Sequence, residues 1–132
     1  MQYRSTRGES PAVSFSEALL AGLAPDGGLY VPTEWPQFAP GDFTAGASLA
    51  AAARTLIAPF TAGDMLAAAL DEITAEAFNF PAPLVPVGQA DYSVLELFHG
   101  PTAAFKDFGA RFLAASLARL RPAGARPLEI LV

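Results

Sequence analysis

Lysine occurs once in this chain, at Lys106, and histidine once, at His99; the other seven cationic residues are arginines. Both single residues fall within 95–109, Leu-Glu-Leu-Phe-His-Gly-Pro-Thr-Ala-Ala-Phe-Lys-Asp-Phe-Gly. Arginine evidently serves wherever a surface charge is enough, so the one retained primary amine is the first candidate for chemistry. Only an amine can form an imine with a carbonyl compound. Two readings compete. Most lysines are solvated surface groups, and Lys106 beside Asp107 can snorkel to water in that way. Alternatively, with Thr102 as a helix N-cap, Lys106 falls in the first turn, where the backbone dipole disfavours a cation. Flanking Phe105 and Phe108 would add desolvation, and both effects favour the neutral, nucleophilic amine. His99 also has two readings, a general base or a turn residue before Gly100-Pro101, and the second is the commoner for a loop histidine.

The elements that must position this stretch follow from periodicity and turn chemistry. Residues 3–6 predict a short extended segment. Ser14 and Glu17 have the spacing of a capping box, and the helix they start buries Phe15, Ala18, Leu19 and Leu23. Residues 25–28, Pro-Asp-Gly-Gly, predict a turn with two positions free to take positive φ. Leu29, Tyr30 and Val31 follow as a strand stopped by Pro32. Two alanine-rich helices are expected near 47–58 and 62–78, the second with Thr61 and Asp64 placed as a cap pair, and both read as close-packed structural elements. Pro81, Pro83 and Pro86 mark a subdomain boundary. Residues 84–87 and 92–98 predict a hairpin. Phe105, Phe108, Phe112, Leu113, Leu117 and Leu120 share helical spacing over 103–120. Residues 128–132, Leu-Glu-Ile-Leu-Val, read as a central strand of a parallel sheet. A central strand needs neighbours on both sides, so the 132 residues are expected to be the front part of a larger α/β protein.

Composition excludes several classes. A hydrophobic content of 52% against 16% charged residues describes a globular chain rather than a disordered one. The net charge of −5 argues against a nucleic-acid partner held through phosphates. Residues 1–88 hold nine acids and three bases, whereas 89–132 hold four acids and five bases; the C-terminal third, with Lys106, therefore suits an anionic ligand better. Without cysteine there is no disulfide framework or thiolate site, and one histidine cannot build a multi-histidine zinc site. No signal-like apolar segment opens the chain and no apolar run is long enough to span a bilayer, which makes a cytoplasmic location and no membrane partner the default expectation.

The wording of residues 96–109 closely resembles the pyridoxal-phosphate lysine motif of threonine synthases. Residues 3–8, Tyr-Arg-Ser-Thr-Arg-Gly, resemble the start of that family. Residues 15–32, which contain Gly-Leu-Ala-Pro-Asp-Gly-Gly-Leu-Tyr, resemble its next characteristic block, one that separates this family from other pyridoxal-phosphate enzymes of the same fold. The three matches occur in the family's order, with the alanine-rich middle matching weakly.

The resemblance implies an α/β protein: a mainly helical α+β subdomain over 1–83, then the first βα elements of a pyridoxal-phosphate domain, truncated, over 84–132. It implies that Lys106 holds pyridoxal 5'-phosphate as a Schiff base and that O-phospho-L-homoserine and water become L-threonine and phosphate. The Phe105 ring and the Pro101-Thr102 turn would direct the lysine, and Thr102 and Asp107 would lie near the cofactor or the substrate phosphate. Ser5, Thr6 and Arg7 fit either a binding role or a docked N-terminal strand. Threonine synthases are several times longer, and their phosphate-cradling loop and pyridine-nitrogen partner would lie past residue 132. The isolated chain is therefore expected to be inactive, and either to self-associate through the exposed strand 128–132 and the apolar face of the 103–120 helix or to show that strand detached. Two other readings fit these residues: a related phospholyase acting on another phosphorylated substrate, and a non-catalytic α/β interaction module with a structural Lys106.

Overall fold

The structure, a computed structural model, describes residues 1–88, 91–122 and 124. Among them it is a mixed assembly of four α-helices and two small antiparallel sheets. No helix among the described residues is long and apolar enough to cross a membrane. The expected strand 128–132, and with it that part of the expected self-association surface, lies outside the described residues.

The N-terminal sheet joins β1 (Tyr3–Ser5) to β2 (Tyr30–Pro32), with Arg4 opposite Val31. Between them lies α1 (Phe15–Ala21), and the capping box at its start is present. The Glu17 N–H donates to Ser14 Oγ at 3.3 Å, and the Ser14 N–H donates to Glu17 Oε2 at 2.8 Å. Gly22, at φ 70°, ends the helix. Leu23 therefore falls outside α1 and is 56% exposed, contrary to its expected place on the buried face. The 25–28 turn uses positive φ once, at Gly27 (φ 77°). Gly28 is required for a different reason, since a Cβ there would run into the Ser5 hydroxyl oxygen and stand 3.0 Å from Asp26 Oδ1 and 3.1 Å from the Arg7 backbone N.

The alanine-rich region forms α2 (Leu49–Thr61) and α3 (Leu70–Ala77), the latter entered through a 3₁₀ turn at Met65–Ala69. Ser48 is the N-cap of α2 and Asp64 that of the 3₁₀ turn, Asp64 Oδ1 accepting the Leu66 N–H at 2.9 Å. Thr61, expected as the partner of Asp64, instead ends α2 and donates its hydroxyl to Ala58 O at 3.3 Å. Gly63, at φ 77°, turns the chain between these roles. Asp64 also accepts the Ser16 N–H at 2.9 Å and the Ser16 hydroxyl, tying the starts of α1 and α3 together.

Residues beyond the prolines form a hairpin of β3 (Leu84–Pro86) and β4 (Ser93–Leu95), as the sequence predicts, and then α4 (Asp107–Leu120). Helix α4 is fastened to α3. Its Phe112 packs in both core clusters: against Ala53, Ala77 and Phe78 on one side, and against Leu66, Ile73 and Ala115 on the other. Burial of a side chain such as Ile73, which is fully enclosed, contributes roughly 1.5–3 kcal/mol. Polar contacts fix the register: Arg111 donates to Ala77 O at 2.8 Å, Glu76 O at 2.7 Å and Asn79 Oδ1 at 2.9 Å. Those two carbonyls lie in the last turn of α3, where a cation is favourable. The start of α4 is thus held against the N-terminal helices.

Candidate active site

Helix α4 begins at Asp107, four residues later than the periodicity suggests. The cause is local. Ala103 has φ 52°, the one positive-φ residue other than glycine among those described. That left-handed conformation costs an ordinary L-residue roughly 1–2 kcal/mol and cannot continue a right-handed helix. Residues 100–108 instead close three successive tight turns, with Ala103 N–H on Gly100 O, Asp107 N–H on Ala104 O and Phe108 N–H on Phe105 O. The first α-helical bond of this region runs from Ala110 N–H to Lys106 O at 2.9 Å. Lys106 is therefore the N-cap residue itself. Thr102, expected in that place, is not the cap.

Thr102 has another partner. Its N–H donates to Asp107 Oδ2 at 2.9 Å and its hydroxyl to Asp107 Oδ1 at 2.8 Å. Both oxygens of Asp107 are engaged by one residue, and Asp107 is only 4% exposed. Burial works against its charge. The two Thr102 bonds, the Ala104 backbone and the Arg111 guanidinium outweigh it, holding the carboxyl below its ordinary range. Gly100 completes this arrangement, because a Cβ there would lie 2.7 Å from Asp107 Cβ and 2.9 Å from its Cγ.

Lys106 and Phe105 face the other way. Lys106 is exposed, and Phe105 is 71% exposed. The expected desolvation of the amine by both flanking rings is therefore not seen. Phe108 is drawn into the core against Phe78 and Phe80, with ring centroids 6.1 and 5.1 Å apart, while Phe105 stays in solvent. Among the described residues no side chain pairs with the Lys106 amine, including its neighbour Asp107. His99 contacts Glu96, Nε2 to Oε2 at 2.6 Å, and its ring lies 4.7 Å from that of Phe98. The histidine thus braces the loop between β4 and the tight turns, in keeping with the scaffold reading.

The structure brings Thr102 and Asp107 together and leaves Lys106 and Phe105 available. Sequence reasoning missed Gly100 and Ala103, whose importance lies in a close approach and a dihedral angle. The Gly-Pro pair at 100–101 hinted at a turn, but nothing in the sequence said that Asp107 would fill the space opposite Gly100. At the other end of the chain Ser5, Thr6 and Arg7 all engage the 25–28 region. Ser5 Oγ donates to Asp26 Oδ1 at 2.7 Å, Thr6 Oγ1 accepts the Leu29 N–H at 3.0 Å, and Arg7 Nη1 donates to Asp26 O at 2.8 Å. These contacts are those of a docked strand.

Residues 2–78 match the family described as threonine synthase N terminus. A curated threonine synthase of Pseudomonas aeruginosa is 42% identical over 123 residues, spanning 89% of this chain and 26% of that protein. The threonine synthase of Escherichia coli K12 is 36% identical over 133 residues, spanning 99% of this chain and 30% of the other. The crystal structure of a PLP-bound threonine synthase from Brucella melitensis superposes with a TM-score of 0.79 at 46% identity, over 91% of this chain and 28% of that one. That of Escherichia coli threonine synthase gives 0.81 at 34% identity, with the same coverage. The chain belongs to the threonine synthase family and matches its N-terminal region. It spans between 26 and 30% of the length of these relatives.

Proposed function

We propose that, in the full-length protein, this region supplies the lysine for conversion of O-phospho-L-homoserine and water to L-threonine and phosphate. The observation that carries this reading is Lys106: the one primary side-chain amine of the chain, exposed and unpaired among the described residues, within a segment that matches a family with a PLP-bound member. The residues present fit pyridoxal 5'-phosphate to that extent. An accessible amine can attach the cofactor's carbonyl, and a mildly cationic C-terminal third of the chain suits its phosphate. When bound, the cofactor supplies an electron sink for charge developing on substrate carbon.

The chain's own residues then have separate tasks. Lys106 Nζ is the attachment point and, once released, the group that carries protons to and from the substrate carbons. Phe105 offers an exposed apolar ring next to that amine, a surface for a planar ligand. The tight turns at 100–107 fix where the Lys106 Cα stands, and Arg111 with Phe108 and Phe112 holds those turns to the N-terminal layer. We place the boundary between an N-terminal subdomain and the start of a cofactor-binding domain at 83/84. The end of the family match at residue 78 and the three prolines that follow support it. The 132 residues alone are expected to be inactive, because orienting the cofactor supplies much of the rate and one attachment point cannot orient it.

The test is stoichiometry. Full-length protein loaded with pyridoxal phosphate should release one phosphate per L-threonine formed from O-phospho-L-homoserine. Phosphate release without threonine, or a higher kcat/KM on another phosphorylated amino acid, would contradict the reading.

A further inference from the structure

Three constraints converge on the eight residues 100–107. A carboxylate, Asp107, is buried at 4% exposure, which costs free energy unless it is hydrogen-bonded. Ala103 sits in the left-handed region at φ 52°. Gly100 packs so closely on Asp107 that no Cβ fits between them. A left-handed residue other than glycine, such as Ala103, persists only where the surrounding structure over-determines it, and such residues gather at functional sites. The residue the three constraints enclose is Lys106. Asp107 is next to the chain's one lysine, yet its charge is turned inward to Thr102 while the amine is left to solvent.

We propose that Asp107 is a positioning residue for Lys106: its carboxylate, bridged to the Thr102 N–H and hydroxyl and seated against Gly100, locks the turn from which the lysine reaches the cofactor carbonyl. This rests on the assignment of Lys106 given above. It revises the expectation that Asp107 touches substrate. Both its oxygens are occupied and buried, and a carboxylate facing a phosphorylated substrate would repel it. Thr102 likewise acts through Asp107. The lock leaves Lys106 without a salt bridge, so no ammonium–carboxylate pair has to be broken before the amine can react.

The test uses full-length protein with pyridoxal 5'-phosphate as the probe, and compares Asp107→Ala, Asp107→Asn and Thr102→Val with wild type. The readouts are the visible absorbance of bound cofactor, borohydride-fixed label at Lys106, and separate kcat and KM for O-phospho-L-homoserine. Asp107→Ala should lower kcat on the order of 10²-fold, the scale of a misplacement of about 1 Å, with KM within about threefold and a shifted cofactor absorbance. Asp107→Asn keeps an acceptor for the Thr102 hydroxyl and should recover part of the loss. Thr102→Val keeps the volume, removes the 2.8 Å bond and remains informative if the alanine variant does not fold. A KM raised about tenfold or more at unchanged kcat would show that Asp107 binds substrate and overturn the proposal, as would wild-type absorbance, label and kcat in both Asp107→Asn and Thr102→Val. Wild-type protein that takes no label at Lys106 would overturn the lysine assignment itself, and with it this inference.

Discussion

Two aspartates in this chain do similar work in different places. Asp26 gathers the N-terminal strands: Oδ1 accepts the Ser5 hydroxyl at 2.7 Å and the Gly28 N–H at 2.9 Å, and Oδ2 accepts the Glu9 N–H at 3.1 Å. Asp107 gathers the turn before α4 through Thr102. Each has a glycine beside it whose missing Cβ makes room: Gly28 for the Ser5 hydroxyl that binds Asp26, and Gly100 for the Asp107 carboxylate itself. They differ in reach. Asp26 joins residues 17 to 21 positions away and closes a sheet, whereas Asp107 joins a residue five positions away and shapes one turn beside a reactive amine. A clamp that spans distant segments serves stability; on the proposal above, a clamp within its own turn also aims the atom beside it.

The comparison breaks most visibly at Lys106. Lys106→Ala should lower threonine formation by about 10²–10⁴-fold in the full-length protein and leave its unfolding free energy within about 0.5 kcal/mol of wild type. Loss of stability on a par with the loss of rate would mean that the amine belongs to the fold.

Gly28→Ala tests the structural clamp. The added methyl would displace the Ser5 hydroxyl and press on Asp26 Oδ1 and the Arg7 backbone, and overpacking of this kind costs roughly 1–3 kcal/mol. Denaturant unfolding should show that loss, while the absorbance of bound cofactor stays as in wild type. A shifted absorbance would mean that the two clamps communicate.

Tyr3 sharpens the contrast on the same sheet. Its hydroxyl donates to Phe60 O at 2.9 Å, and burial, with the Asp64 carboxylate adding to it, pushes its pKa up to about 12 from 10.0. A raised pKa stabilises the fold below pH 10, and that contribution is lost as pH rises from 10 to about 12. Tyr3→Phe should cost about 1 kcal/mol at neutral pH and remove this alkaline limb from the stability profile. An unchanged limb would assign it to another group.

The smallest effect is confined to acid. The Ser5 hydroxyl first, then the Gly28, Ser10 and Glu9 contacts, lower Asp26 to about 2 from 3.8 against an opposing contribution from burial. A depressed carboxyl stabilises the fold above pH 3.8, and that contribution is lost as pH falls toward 2. Hydrogen exchange at β1 and β2 should rise in that window before exchange in α3 does. Simultaneous opening of both would contradict a separate clamp.

Much of this was legible in the sequence, and what was not has a physical reason. The Ser14–Glu17 capping box, the hairpin of β3 with β4 and the apolar face of α4 depend on short-range spacing and were readable. The late start of α4 was not, because Ala103 has no intrinsic preference for positive φ and is held there by contacts made around Asp107. Leu23 was misplaced because its spacing continued the apolar stripe past the point where Gly22 ends the helix. At the site, residue scarcity and the local motif singled out Lys106. The inward role of Asp107 was hidden because adjacency to a lysine suggests a salt bridge, and only the close packing on Gly100 shows otherwise.

The central claim is that Lys106 carries the cofactor, and chemical trapping tests it most directly. Full-length protein loaded with pyridoxal phosphate would be reduced with borohydride, digested and mapped by mass spectrometry. The account predicts pyridoxyl mass on the peptide containing Phe105-Lys106-Asp107, at one per chain. Label on a different lysine, with Lys106 unmodified, would contradict it.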